Sequence, residues 1–229
     1  MQHYLYLVLD VGSILFPFLF SWDRRIRFAD KWPALFWGLA AMALVFLPWD
    51  IYFTQQSVWG FNPRYLLGAS WWGLPVEEWL FFFCIPYACL FIYEALIYFF
   101  PQDRWTSWAP AFFSGLGLML MILGVWHYQR LYTAVNFIGC GLLITILRGM
   151  DFKRAMWSRF LAGYLVSLIP FFIVNGILTG SWIEDQVVWY NNAENLGLRM
   201  GTIPVEDSIY MMFKLLIATV VYEWRLNRW

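Results

Sequence analysis

The chain has 229 residues, of which 62% are hydrophobic, 22% are aromatic and only 13% are charged. A soluble domain has about 25% charged residues, so this composition is typical of an integral membrane protein. The 15 Lys and Arg residues are balanced by 15 Asp and Glu residues. This excludes a nucleic-acid-binding protein, because no basic excess is available to contact phosphates.

Seven stretches of the sequence are apolar over the length of about 20 residues that a helix needs to cross a bilayer. They lie at 3–21, 33–53, 75–99, 109–127, 130–148, 160–180 and 203–224. The boundary between the fourth and fifth stretches is the least distinct, because only the polar segment at 127–130 separates them. The sequence therefore predicts an all-α, polytopic membrane bundle of about seven spanning helices.

Basic residues in the connections alternate from one side of the bilayer to the other. The connections after the odd-numbered stretches hold Arg24, Arg25, Arg27, Lys31, Arg104, Arg148, Lys153, Arg154, Arg159, Arg225 and Arg228. The other connections hold only Arg64, Arg130 and Arg199. Because cytoplasmic loops carry the excess of Lys and Arg, we expect the N-terminus outside the cell membrane and the C-terminus in the cytoplasm.

Two parts of the chain repeat each other. The segment Leu74–Trp79 (LPVEEW) recurs as Ile203–Ser208 (IPVEDS). Weaker correspondences pair Val58, Trp59, Asn62, Tyr93 and Glu94 with Val188, Trp189, Asn192, Tyr222 and Glu223. We therefore predict two three-helix repeats, at 1–100 and 130–229, joined by a connector span within 101–129.

The connector span determines the relative direction of the two repeats. Three spans end on the opposite side of the membrane from where they began, so a directly fused second copy would be inverted. One additional span restores its direction, and the repeats are then parallel. Both Pro-Val-Glu-acid motifs are expected to begin a helix at the same, external membrane surface, where they can face each other across a pseudo-twofold axis.

The candidate catalytic residues are the four acids of the two motifs, Glu77, Glu78, Glu206 and Asp207. Carboxyl groups within a bilayer are costly and usually mark function, although a proline followed by acids is also an ordinary helix start. Duplication of the whole motif favours the functional interpretation. Since successive helical residues point about 100° apart, we expect one acid of each motif to face a cavity and its neighbour to accept hydrogen bonds from the preceding loop.

Six further residues are candidates for substrate binding or for positioning the acids: Asp50, Asn175, Pro75, Pro204, Trp79 and Tyr210. Asp50 and Asn175 occupy comparable places in the second and sixth predicted spans. We expect their side chains to hydrogen-bond to the motif glutamates, with interfacial solvation as the alternative.

Glu94, Glu223 and Lys214 are further charged residues within the predicted spans. Glu94 and Glu223 are at the helix ends remote from the motifs, so we expect them to have a structural role near Arg104 and Arg225. Lys214 lies in the middle of the seventh span, as does the Schiff-base lysine of retinal proteins. We expect it instead to pair with a neighbouring helix or to extend its amine to the membrane surface.

The sequence carries no motif for a bound cofactor. It lacks a phosphate-binding P-loop and a dinucleotide-binding glycine motif, and His3 and His127 are too few and too separated for a metal centre. Cys84, Cys89 and Cys140 have no metal-ligand spacing. We therefore expect no cofactor and a redox-neutral reaction on a lipid-soluble substrate.

The duplicated acids and the abundant aromatic residues suit carbocation chemistry on an alkene. Two carboxyl groups that meet in an apolar pocket cannot both ionise at low cost, so one keeps its proton and can act as a general acid. Aromatic faces can then stabilise the resulting cation.

At these residues the chain resembles the small membrane-embedded lycopene β-cyclases, here as a fused single chain. The resemblance covers essentially the whole length and is most specific in the two helix starts Pro75–Glu78 and Pro204–Asp207. It implies a carotenoid substrate held in the bilayer and cyclisation of the ψ-end groups of lycopene to β-ionone rings, giving γ-carotene and then β-carotene. It also implies that the motif acids are catalytic.

The mechanism expected from this resemblance starts with proton transfer from a motif acid, with Glu206 or Glu77 as the leading donor, to C2 of the ψ-end. The C5=C6 bond then attacks the C1 cation, and a second carboxylate removes the C6 proton. Other functions stay open, namely another carotenoid end-group cyclisation or hydration, a retinal- or carotenoid-binding photoreceptor, and a transporter. The sequence leaves open whether the protein is a monomer or a homo-oligomer.

Overall fold

The computed structural model describes residues 2–101, 107–150 and 154–228. In this part of the chain, seven α-helices form an all-α bundle. They occupy Leu5–Leu19 (α1), Trp32–Gln55 (α2), Val76–Phe99 (α3), Ala109–Trp126 (α4), Leu131–Gly149 (α5), Arg154–Leu178 (α6) and Val205–Arg225 (α7). The predicted helical bundle is confirmed, although α6 begins at Arg154, before the predicted start at 160.

Short strands connect α2 to α3 and α6 to α7. They are Trp59–Phe61 (β1), Ser70–Trp71 (β2), Leu74–Pro75 (β3), Val188–Tyr190 (β4), Arg199–Met200 (β5) and Ile203–Pro204 (β6). β2 pairs with β3 and β5 pairs with β6, and each of these hairpins leads directly into the next helix. We name the end of the bundle that carries these strands the strand end, and the other end the opposite end.

Six helical segments of the described chain are long, apolar and uncharged enough to be candidate membrane spans, and α7 is the α-helix that is not among them. Its 21 residues extend over about 30 Å, which is enough to cross the hydrocarbon core of a bilayer. Glu206, Asp207 and Lys214 make it more polar than the other helices. The bundle accommodates these residues because α7 packs against α2, α3, α5 and α6, which separate it from lipid. The chain is a multi-pass membrane protein.

The contacts between helices follow a pseudo-twofold axis. Within the first repeat α1 packs against α3, and within the second repeat α5 packs against α7. Between the repeats, α3 packs against α6 and α7 packs against α2. The connector α4 packs against α5 and α6. The two helices that begin with the motif acids therefore lie at the centre of the bundle, where they also contact each other.

The pairing of β1 with β4 locates the axis at the strand end. Gly60 lies opposite Trp189 in this antiparallel pair, and the two are as far apart in sequence as Pro75 and Pro204. Each strand is thus the counterpart of the other. Both motif-bearing loops consequently lie at the same end of the bundle, as parallel repeats require.

Hydrogen bonds beside these strands correct the correspondence between the repeats upstream of the motifs. The backbone N–H of Asn62 donates to the carbonyl of Val187 at 2.8 Å, and the N–H of Asn191 donates to the carbonyl of Val58 at 2.9 Å. Val58 and Asn62 therefore correspond to Val187 and Asn191. The correspondence predicted from the sequence was wrong by one residue, because short matches in a loop do not fix the register.

Glu94 and Glu223 lie at the opposite end, but their partners differ from the expected ones. Arg228, beyond the end of α7, forms ion pairs with both carboxyl groups. Arg225 instead lies over aromatic rings, and Arg104 is outside the described residues. Arg228 therefore joins the corresponding acids of the two repeats.

Candidate active site

A cavity of about 1070 Å³ extends into the bundle from the strand end. This volume includes the space at its mouth that is open to solvent. The polar residues that line it are Tyr6, Ser13, Asp50, Glu78, Tyr132, Ser167, Asn175, Thr179, Tyr190, Asp207, Tyr210 and Lys214. The cavity thus combines several ionisable groups at one end with a largely apolar wall.

Each motif divides its two acids between the cavity and the preceding loop. Glu78 and Asp207 line the cavity, and one comes from each repeat. Glu77 and Glu206 are fully buried but do not line it. This division follows from the helical rotation between adjacent residues, which cannot point two side chains at one target.

Glu77 and Glu206 fix the loops that lead into their helices. The backbone N–H of Leu67 donates to Oε1 of Glu77 at 2.6 Å, and that of Leu196 donates to Oε1 of Glu206 at 2.7 Å. The hydroxyl of Thr133 donates to the same oxygen of Glu206 at 2.6 Å. The position of these two glutamates does not support the expectation that one of them is the leading proton donor.

A tyrosine from the first helix of each repeat binds the cavity acid of that repeat. Tyr6 donates to Oε2 of Glu78 at 2.5 Å, and Tyr132 donates to Oδ1 of Asp207 at 2.6 Å. Each tyrosine is the second residue of its helix. The two half-sites are therefore built on the same plan.

Asp207 has one more tyrosine donor than Glu78. Tyr190, in β4, donates to Oδ2 of Asp207 at 2.8 Å, whereas the corresponding residue of the first repeat is Phe61, which has no hydroxyl. Burial and the nearby Asp207 charge raise the pKa of Tyr190, so its hydroxyl keeps the proton that it donates. Because donated hydrogen bonds stabilise a carboxylate, the two cavity acids are chemically different.

Asp50 and Asn175 both line the cavity, from α2 and α6. Oδ2 of Asp50 has no hydrogen-bond partner among the described residues, and the carboxyl group interacts with the indole of Trp59. Asn175 accepts at its backbone carbonyl from the Thr179 hydroxyl at 2.7 Å. Within the described chain, neither side chain makes the expected hydrogen bond to a motif glutamate.

Of the other four candidates, Tyr210 lines the cavity, whereas Pro75, Pro204 and Trp79 do not. Pro75 and Pro204 are buried at the ends of β3 and β6, immediately before α3 and α7, where a proline favours the start of a helix. Trp79 does not line the cavity and its ring lies 5.7 Å from that of Trp72. Tyr210 lines the cavity, near the start of α7.

Lys214 is a cavity residue that the sequence analysis did not assign to the site. It is 7% exposed and lies two helical turns after Asp207. Its Nζ lies 4.4 Å from the ring centroid of Tyr210 and 4.7 Å from that of Phe82. Aromatic faces attract such a cation. Of the two arrangements expected for Lys214, its burial excludes extension to the membrane surface.

Of the four tyrosines that line the cavity, the sequence analysis named Tyr210 and missed the other three. The chain has 13 tyrosines, and no local motif distinguishes Tyr6, Tyr132 and Tyr190 from the others. The one signal that could have found two of them is position, because Tyr6 and Tyr132 lie in the first turn of the first helix of each repeat.

An apolar arm of the cavity extends from the acids toward the opposite end. Its walls are formed by α3 and α6, through Ile85, Pro86, Ala88, Ile92, Pro170, Phe171 and Val174. From Glu78 to Ile92 the lining follows α3 for about 20 Å. Pro86 and Pro170 lie inside their helices, where a proline removes one backbone hydrogen bond and favours a kink. The arm therefore suits an elongated apolar molecule with one end at the acids.

Comparison with known protein families agrees with this architecture. The family model described as Lycopene cyclase matches residues 3–96 and 129–225. Each matched region contains one copy of the acid motif, and α4 lies between them. No curated protein and no solved structure that was compared matches the chain.

Proposed function

The chain belongs to the lycopene cyclase family, and we propose that it is a lycopene β-cyclase that converts the ψ-end groups of lycopene to β-ionone rings. The observation that carries this proposal is the convergence of Glu78 and Asp207, one from each repeat, on a single cavity with an apolar arm. Such a cavity supplies the groups that exchange protons and the space for a polyene.

The proposed reaction is an acid-catalysed isomerisation. A protonated carboxyl group adds its proton to C2 of the ψ-end, which leaves a cation at C1. The electrons of the C5=C6 bond attack C1 and close the six-membered ring, so that the cation moves to C5. A carboxylate then removes the proton from C6, and the C5=C6 double bond forms. One proton enters and one leaves, and no electrons are transferred.

Glu78 and Asp207 are the proposed proton-exchanging acids of the two motifs, with Glu77 and Glu206 holding the loops above them. Of the two, Asp207 is more readily present as the carboxylate, the form that accepts a proton, because the hydroxyls of Tyr132 and Tyr190 both stabilise its charge.

The aromatic lining supports a cationic intermediate. Trp59, Phe81 and Tyr210 border the same cavity as the two acids, and their ring faces can stabilise a passing positive charge. The wall of the cavity is mainly apolar, which keeps water away from the cation. Deprotonation to a cyclic alkene is therefore favoured over hydration to an alcohol.

Because Glu78 and Asp207 line one shared cavity in the described part of the chain, the two ends of lycopene are proposed to react one after the other. The polyene lies in the apolar arm with one ψ-end at the acids, so the second ring requires that γ-carotene leaves, turns and rebinds. We place the strand end at the outer surface of the cell membrane, because the connections at the opposite end carry most of the Arg and Lys residues. The N-terminus is then outside and the C-terminus in the cytoplasm.

Expression in a host that accumulates lycopene tests the proposal. The parent chain is expected to convert lycopene to γ-carotene and β-carotene, identified by chromatography and absorption, and the variants Glu78→Gln and Asp207→Asn are expected to leave lycopene unconverted. Glu184→Gln is the matched control, because this acid is exposed and outside the cavity lining. Unchanged lycopene with the parent chain, or parental conversion by both cavity variants, refutes the proposal.

A further inference from the structure

Asp50 differs from the other carboxyl groups of the cavity in its surroundings. It is 3% exposed, and it is the one residue of α2 that borders the cavity. Glu78 and Asp207 each accept a short hydrogen bond from a tyrosine. No tyrosine donates to Asp50, and its Oδ2 has no partner within the described residues.

A buried carboxylate that accepts few hydrogen bonds is costly, whereas the protonated carboxyl group is not. The hydrogen-bond donor beside Asp50 is the neutral indole of Trp59, and the charged groups that act on it are Glu78 and Lys214, of opposite sign. Glu78 and Asp207, by contrast, have donors that stabilise their charged forms. Of the three acids, Asp50 has the surroundings that favour the neutral form.

The balance of charge in the cavity leads to the same result. Asp50, Glu78 and Asp207 line it together with Lys214, which is the one basic residue among its described lining residues. One buried cation compensates one carboxylate, so a site with three acids holds bound protons at neutral pH. Three carboxyl groups and one cation leave two bound protons, and the acid that lacks tyrosine donors is expected to hold one of them.

We infer that Asp50 is the proton donor of the cyclisation, a catalytic residue outside both repeated motifs. The inference rests on the proposed function. The O–H bond of the Asp50 carboxyl group breaks as the C–H bond at C2 of the ψ-end forms, and Asp50 becomes a carboxylate. After ring closure, Asp207 takes the proton from C6. A proton transfer from Asp207 back to Asp50 by way of Glu78, the third acid of the cavity, restores the starting state.

The donor breaks the pseudo-symmetry of the protein. Helix α6 occupies in the second repeat the place that α2 occupies in the first, and Arg154–Leu178 contains no Asp or Glu. The second half-site therefore has a proton acceptor but no counterpart of Asp50. This asymmetry explains how a duplicated fold forms one active site, which acts on one end group of lycopene at a time.

Asp50→Asn, with Asp10→Asn as its matched control, tests the inference. Asp10 is also fully buried and its oxygens have no partner within the described residues, but it does not line the cavity. Its counterpart, four residues after the first-turn tyrosine of the second repeat, is Asn136. The control therefore removes a buried acid where the second repeat already carries an amide.

Purified variants in detergent or lipid would be compared for lycopene binding, by carotenoid absorption, and for the initial rate of ring formation. Asp50→Asn is expected to bind lycopene as the parent does and to lose at least about 100-fold in rate, the contribution of a general acid. Asp50→Glu is expected to restore part of the rate, and Asp10→Asn to keep it within about threefold of the parent. If Asp50→Asn does not fold, Asp50→Ser replaces it with the same expected loss.

The outcomes separate this inference from the proposed function. If the parent does not cyclise lycopene, the proposed function fails and the inference falls with it. If the parent is active and Asp50→Asn or Asp50→Ser keeps its rate within about threefold, only the assignment of Asp50 is overturned. Three other results also overturn the assignment, because each identifies a structural role for Asp50. They are loss of lycopene binding in Asp50→Asn, an inactive Asp50→Glu, and a loss of rate in Asp10→Asn equal to that in Asp50→Asn.

Discussion

Tyr132 lies at the start of α5 and donates a 2.6 Å hydrogen bond to Asp207, the second acid of the motif that begins α7. Tyr6 and Glu78 form the same contact in the first repeat. The contact ties the first helix of each repeat to the third and points one acid of each motif into the shared cavity. Replacing each tyrosine by phenylalanine therefore measures how far the acids depend on these donors.

We expect Tyr132→Phe to slow cyclisation by about 10- to 100-fold, since a hydrogen bond to a charged group contributes about 1.5–3 kcal/mol. Tyr190→Phe removes the second donor to Asp207 and is expected to act in the same direction, with a larger loss in the double variant. Tyr52→Phe is the control, because Tyr52 is 52% exposed and does not line the cavity. Parental rates in the double variant would show that Asp207 does not need these donors.

The two acids of the first motif are expected to respond differently to substitution. Glu77→Ala leaves the N–H of Leu67 without its acceptor and is expected to lower the free energy of unfolding by about 1–3 kcal/mol. Glu78→Gln is expected to abolish cyclisation with little change in stability. Thermal unfolding and ring formation, measured on the same samples, distinguish the two effects. The reverse pattern would exchange the roles assigned to Glu77 and Glu78.

Filling the apolar arm is expected to prevent substrate binding without unfolding the protein. Ala88 lines the arm, so Ala88→Trp puts a large side chain where the polyene is proposed to lie. We expect at least a tenfold loss of lycopene binding, measured by carotenoid absorption. Leu44→Trp adds the same ring at a side chain that is 78% exposed and is expected to bind as the parent does. Equal binding by both variants would place the polyene elsewhere.

Gly60 is required by the close pairing of β1 with β4. A Cβ atom at Gly60 would overlap the ring of Trp189, and such overpacking costs about 1–3 kcal/mol. Gly60→Ala is therefore expected to lower the unfolding temperature. Gly115, inside α4, has open space at the Cβ position, so Gly115→Ala is expected to keep or raise it. An unchanged unfolding temperature in Gly60→Ala would contradict the pairing across the axis.

Arg228 is expected to stabilise the opposite end of the bundle. It pairs with Glu94 and Glu223, which are 1% and 0% exposed, and Lys31 is a further partner of Glu94. Arg228→Gln leaves buried carboxylates with less compensation and is expected to cost about 3–5 kcal/mol in unfolding free energy. Arg27→Gln, in an exposed ion pair with Asp30, is expected to have little effect. If the two variants have the same free energy of unfolding, the buried ion pairs of Arg228 do not stabilise the fold.

The distribution of apolar residues and the recurrence of Pro75–Glu78 as Pro204–Asp207 were sufficient to predict the helical membrane bundle and the direction of its repeats. These are properties of continuous segments, and a span of about 20 apolar residues has few alternatives to a membrane helix. The same recurrence identified the four motif acids as candidates. It also predicted that adjacent acids point in different directions, because that depends only on the helical repeat.

The sequence alone could not decide which acid of each motif faces the cavity. That depends on how α3 and α7 are rotated about their axes, which is set by packing against α1, α2, α5 and α6. The same packing brings Tyr6, Asp50 and Tyr190 to the acids from three separate elements, α1, α2 and β4. Side chains far apart in sequence meet only when the helices pack, so the tertiary structure decided the composition of the site and the asymmetry between its halves.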